Sequence, residues 1–268
     1  MESNRDIYLY SFSMLLLMAL LVQFSQISVS ALLLHSYGIP FTWSPLFLKH
    51  VSADMDYWTH LRLFMVYGLM PAVLFVSGLL LMRWLKLSAA MDWKLRLRLT
   101  WLAFLMINLF PAGIIAGLFV FDGLGVAFTW LVPPLLVRGV ISVIPVAAMV
   151  ITRFYWVPMF LRTSYSLAVI NETSTRNAYL RNIFTLPWIF TILVIAVYSF
   201  FLKTWYWPIS FVALALVIIP FAGNPGMRLK IKINPSYKLI PDSQFSLFYL
   251  AMFFVMLLLS SLVQFRFN

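Results

Sequence analysis

Gln23, Gln26 and Ser30 lie at i, i+3 and i+7 of a long apolar run, so a helix there carries them on one face, while Ser25 and Ser28 fall elsewhere. Amides set in hydrocarbon either bond across to a neighbouring helix or line a path for a polar solute, and the spacing admits both. Asn108, in another apolar run, is a partner for either role. Asp122, in "FDGLG", is the acid close to the end of an apolar run. A charge at mid-membrane costs about 2.5–3.5 kcal/mol on insertion scales, less toward the interface. Asp122 is therefore read as a helix-ending turn residue, since Asp-Gly is a turn signal, or else as a proton relay or metal ligand. Arg138, shortly after Pro133 and Pro134, is the expected opposite charge, pairing with Asp122 near the outer surface.

Other chemistries are excluded. The chain has no cysteine, so disulfides, thiolate metal sites and cysteine nucleophiles are out. His35, His50 and His60 share one loop region with Asp54 and Asp56, but their spacing matches no standard ligand motif and no H-E-x-x-H occurs. "FVSG" at 75–78 lacks the glycine that leads an intramembrane serine-protease motif, and no histidine follows residue 60 to act as its base. Phosphate-cradling and dinucleotide glycine patterns are absent. No cofactor is expected.

The elements that must hold these residues follow from composition. Of 268 residues, 63% are hydrophobic and 10% charged, where a soluble domain is about half apolar and about a quarter charged. So much apolar surface requires lipid as the main solvent. Runs of about 20 apolar residues, the length a spanning helix needs, fall at 8–34, 63–84, 99–121, 134–151, 186–202, 208–222 and 245–264. The expected fold is an all-α polytopic bundle of about seven transmembrane helices (six is the alternative), forming one integral membrane domain over 1–268. The first run is too long for a signal-peptide core and reads as a helix that stays.

Fourteen of the 19 bases fall in the N-terminus and the loops 82–98, 152–185 and 223–244. This bias puts the N-terminus in the cytoplasm and, with seven spans, the C-terminus outside. A net charge of +11 is then the ordinary result of basic cytoplasmic loops and implies no nucleic acid. The expected location is a bacterial inner membrane. Two basic strips, "KLRLRLTW" at 94–101 and "RLKIKINP" at 228–235, alternate with a period of two, which suits a strand. They are expected to form a short ribbon at the cytoplasmic face, with Lys94, Arg96, Arg98, Arg228, Lys230 and Lys232 on anionic headgroups. Gly68-x-x-x-Ala72 and Gly113-x-x-x-Gly117 are small-residue faces through which the second and third helices are expected to pack.

"NLFP" at 108–111 followed by "FDG" at 121–123, "YGLMPAVLFVSG" at 67–78 and "LLLHSYGIPF" at 32–41 together resemble the signature segments of site-2 protease-like membrane proteins. The resemblance implies His35 and Asp122 as zinc ligands, without the second ligand histidine and catalytic glutamate of H-E-x-x-H, hence a degenerate metallohydrolase relative. The residues themselves show no catalytic centre. They support an accessory or scaffold subunit with other membrane proteins as partners, or a small transporter or channel with a polar path along the first helix.

Overall fold

Asp92 starts the third long helix: its carboxylate accepts from the Lys94 and Leu95 N–H groups, which have no partner inside the helix. The basic strip 94–101 therefore becomes the first turns of α3 (Trp93–Ala116). This overturns the expected strand, because Leu, Lys and Arg are strong helix formers and the strip runs without a break into an apolar span. The helical period throws the bases in different directions. Arg96, 6% exposed, donates to the Ser88 carbonyl at 2.6 Å, and Arg98 donates to the Tyr10 hydroxyl at 2.9 Å and lies over the Tyr249 ring. Both side chains bond to other parts of the protein. The second strip, with Arg228, Lys230 and Lys232, lies outside the described residues.

The computed structural model describes residues 4–50, 58–88, 91–164, 171–202, 206–218, 243–262 and 264–267. α1 is Asn4–Ser36, and β1 (Phe41–Ser44) and β2 (Phe47–His50) form a hairpin after it. α2 is His60–Leu87, interrupted by a π-turn at Phe64–Gly68. After α3 come α4 (Leu124–Leu131) and α5 (Leu135–Leu161). α6 begins as Thr173–Leu180, passes through a π-turn at Arg181–Thr185 and continues as Leu186–Leu202. α7 (Tyr206–Ala213), α8 (Ala215–Ile218), α9 (Ser243–Leu262) and β3 (Phe265–Phe267) complete the order. Helix is found within each of the seven expected segments. Among the described residues, five helices are long and apolar enough to cross a membrane, and Tyr206–Ile218 and Ser246–Val255 are shorter apolar helices. The fourth, expected over 134–151, extends to Leu161 with Pro145 and Pro158 inside it.

A ribbon does form, but from other residues and at the other end of the molecule. β1 pairs antiparallel with β2 and with β3, in the order β2-β1-β3, so the C-terminal strand sits beside the hairpin that follows α1. Ser44 Oγ donates to the Ser260 carbonyl at 2.6 Å, and Phe41 stacks on Phe267.

Each π-turn is followed within three residues by a proline, Pro71 and Pro187. A proline gives no N–H to the turn before it. Val66 lies five residues before Pro71, and Ile183 four before Pro187. A carbonyl of each π-turn is met by a serine of α1: Ser30 Oγ donates to Val66 O, and Ser11 Oγ to Ile183 O, both at 2.5 Å. At 1.5 Å per residue the two serines stand about 28 Å apart along α1, close to the thickness of a hydrocarbon core of about 30 Å. Ser30→Ala should cost about 1 kcal/mol, and less in a Pro71→Ala background, where an N–H is restored. Equal costs in both backgrounds, read from unfolding in mixed micelles, would show that the proline does not orphan Val66 O.

α2 and α3 pack together, as expected, but not through the expected glycines. A Cβ on Gly78 would lie 2.8 Å from the Ile107 side chain, so Gly78 is the close-approach residue. Gly117 packs on Gly125, Gly113 on Tyr206, and Gly68 beneath Phe64 of its own helix; Ala72 is part-buried. Where α3, α5 and α6 meet, Trp101, Phe104, Trp156, Phe160 and Phe184 form a buried aromatic cluster, with Trp101–Phe160 centroids at 4.7 Å and Phe160–Phe184 at 4.4 Å.

Candidate functional site: a polar cavity beside the first helix

Past Ser30, the α1 face that carries Gln23 and Gln26 opens onto a cavity of about 80 Å³. Gln23, Gln26 and Ser30 line one side, Tyr67 and Pro71 of α2 another, and Asp122 to Leu124 a third. Tyr198 of α6 with Tyr206 and Trp207 of α7 close it, and Leu46 to Leu48 of the hairpin roof it. The hairpin is held there by the Ser44–Ser260 bond, and Ser260 also bonds the Tyr198 hydroxyl. Neither glutamine amide bonds to another described residue. The Trp207 indole N–H is buried with no partner among the described residues, its ring 6% exposed. A buried donor left this way costs about 1–3 kcal/mol unless water or a solute supplies an acceptor.

Asp122 is placed by its own turn. Its Oδ1 accepts from the Gly123 N–H at 2.7 Å, and Gly123 has φ +53°, which a residue with a Cβ rarely adopts. The Tyr206 ring lies where a Gly123 Cβ would be, 2.7 Å from its Cε1. Asp122 thus faces Tyr67 and Tyr206, and among the described residues no Lys, Arg or His lines the cavity. Burial pushes the carboxyl above its ordinary value of 3.8, against a smaller opposite effect of the Gly123 N–H. A raised folded pKa means the folded state holds the proton more tightly. That contribution to stability is whole below about 3.8 and is lost as pH rises through the raised value. Asp122→Asn should therefore be at least as stable as the parent at neutral pH and remove this part of the pH slope. Melting curves across pH check it, and an unchanged slope would contradict it.

Several expected placements fail. Arg138 does not pair with Asp122; it donates to Thr129 Oγ1 at 2.8 Å, across one turn between α4 and α5. Asn108, fully buried, does not reach the stripe of α1. Its Nδ2 donates to the Phe104 carbonyl at 2.8 Å, and its Oδ1 accepts from Thr152 of α5 at 3.1 Å. It joins α3 to α5, so Asn108→Ala should cost about 0.6–2 kcal/mol while leaving the cavity unaltered, measurable by melting and by thiol labelling at position 23. His35 lies in a separate, apolar groove of about 340 Å³ with Phe41, Trp43 and Phe267. Its ring stands edge-on to Phe267, so His35 and Asp122 line different spaces. Among the described residues no three His, Cys, Asp or Glu come together to hold a metal.

Tyr67, Tyr198, Tyr206 and Trp207 are the lining residues that sequence reasoning missed. Trp207 and Tyr206 sit in "TWYWP", which the interface-belt rule explains equally well, so the signal was present but ambiguous. No family model, curated protein or solved structure matches this chain.

Proposed function

We propose that this chain is a multi-pass protein of a bacterial inner membrane that binds a small polar solute in the cavity beside Gln23 and Gln26, as a small transporter or its solute-binding component. The observation that carries this reading is the grouping of two unpaired amides, one acid and one unpaired indole N–H around one space. The N-terminus is cytoplasmic and the cavity opens toward the outer side. What supports that orientation is the set of bases at the opposite end, where Arg96, Arg98 and Arg162 hold carbonyls and a phenol of α1 and α2. The pairing of β3 with β1 supports an external C-terminus and an odd number of crossings. The test is thiol accessibility, which the absence of native cysteine makes clean. Single Gln23→Cys and Gln26→Cys variants should react with a membrane-impermeant charged thiol reagent added outside, and Asn108→Cys should not. No labelling at 23 and 26 would overturn the reading.

A second reading, an accessory subunit of a membrane assembly, is favoured by α5, of whose apolar window 17% is buried against 39–67% for the other four spans. A partner that co-purifies stoichiometrically after gentle extraction, and cross-links to α5, would support it; a monodisperse monomer would oppose it.

A further inference from the structure

The cavity's chemistry is asymmetric. Among the described residues that line it, the one charged side chain is Asp122, and no base serves as a counter-charge. Arg138 is engaged by Thr129, and Lys49 on the hairpin is exposed and does not line the space. Tyr67, Tyr198, Tyr206 and Trp207 all line the same volume. Aromatic faces are electron-rich and attract cations, more strongly where water is excluded. The glutamine carbonyls of Gln23 and Gln26 add neutral acceptors without a partner among the described residues. An anion would find one acid and no base. A bare alkali ion would leave much of a cavity of about 80 Å³ unfilled, whereas a small alkylammonium ion fills it and meets rings, amide oxygens and a carboxylate together.

We infer that the cavity is a site for a small organic ammonium ion, held at the Asp122 carboxylate. This rests on the reading of the cavity as a solute site and specifies the solute's class. Burial, with no positive partner among the described lining residues, raises the carboxyl's hold on its proton, so the empty site carries that proton at pH below the raised value. On binding, the carboxyl O–H bond breaks and the proton passes to solvent. The ammonium N–H groups then donate to the carboxylate and to the amide oxygens. One positive charge enters as one leaves, so the net charge of the site is unchanged and no electron is moved. Tyr67 and Tyr206, the titratable groups facing Asp122 from α2 and α7, are phenols that stay neutral through this exchange.

The test is calorimetric titration of the detergent-solubilised full chain with methylammonium and ethylammonium chloride, in two buffers of different ionisation enthalpy and at several pH values. The expected result is release of one proton per cation at pH below the raised carboxyl value. Affinity there should rise tenfold per pH unit and level off above that value. Asp122→Asn should abolish binding while its melting temperature holds; Gln26→Leu, which fills the space from the α1 side, should weaken binding without changing the proton count. Binding with no proton release, or binding that survives Asp122→Asn, overturns the exchange. Sodium binding in place of ammonium overturns the organic-cation assignment, as does equal heat from a neutral polyol. If the Gln23→Cys variant is labelled but no ammonium binds, this inference fails and the solute cavity stands; if that variant is not labelled, both fail.

Discussion

Trp101→Ala should lower the unfolding free energy by about 3–5 kcal/mol, the range for deleting a buried aromatic side chain. Trp101 is fully buried on α3. Its ring meets Phe160 of α5 edge-on at 4.7 Å and Phe184 of α6 at 5.3 Å, and Phe104 a turn away at 5.5 Å. Its indole N–H donates to Ser11 Oγ at 2.9 Å, the same hydroxyl that serves the Ile183 carbonyl. One side chain thus joins four helices. Between helices in lipid there is little gain from hiding apolar surface, so dispersion contacts and hydrogen bonds supply most of the association energy. A cavity here loses both at once. Trp101→Phe keeps much of the ring contact and should cost less than half as much. Unfolding in mixed micelles measures both; a Trp101→Ala protein that melts like the parent would show that the bundle is not held together at this cluster.

Gly123→Val should be the second large loss, and its effect should fall on the cavity. Gly123 occupies a backbone region that is nearly glycine-only (φ +53°, ψ −134°), so a β-branched residue there carries strain of about 1–3 kcal/mol. Its Cβ would also stand 2.7–3.0 Å from three atoms of the Tyr206 ring, an overpacking that adds about 1–3 kcal/mol. The strain is relieved only if the 122–124 turn or Tyr206 moves, and either displaces Asp122. The variant should therefore melt lower and, combined in turn with Gln23→Cys and Asn108→Cys, lose the labelling contrast between those two positions. Tyr206→Leu should partly rescue the packing share and none of the backbone share. Gly139→Ala is the control: a Cβ there meets nothing within 4 Å, so the variant should match the parent or gain up to about 1 kcal/mol in helix propensity. A neutral Gly123→Val would mean that the turn is free to take another conformation.

How far each residue could be read in advance depended on whether its fate was local. The stripe Gln23, Gln26, Ser30 was visible because a helical period alone puts three residues on one face. Its division into two roles was not: Ser30 is consumed by the Val66 carbonyl, while the two glutamines face the cavity. The strip 94–101 misled because a period of two is a statement about side chains alone. The backbone was decided by Asp92 two residues earlier and by the span that follows. Asn108 was recognised as a polar group needing a partner, but its partner was chosen by which helix lies beside α3.

Composition and run length were enough to give helices as the elements, five of them among the described residues long and apolar enough to cross a membrane, because both depend on transfer energies that sum residue by residue along the chain. Pairing across the bundle belongs to the tertiary structure alone. Ser11 meets Ile183 across 172 positions, Ser44 meets Ser260 across 216, and Tyr206 packs on Gly113 and Gly123. In hydrocarbon every buried donor and carbonyl has a strong need for a partner, yet that need is the same for many candidates. Only the packing of helix on helix selects among them, and that selection is what brought Asp122, two glutamines and five aromatic residues around one space.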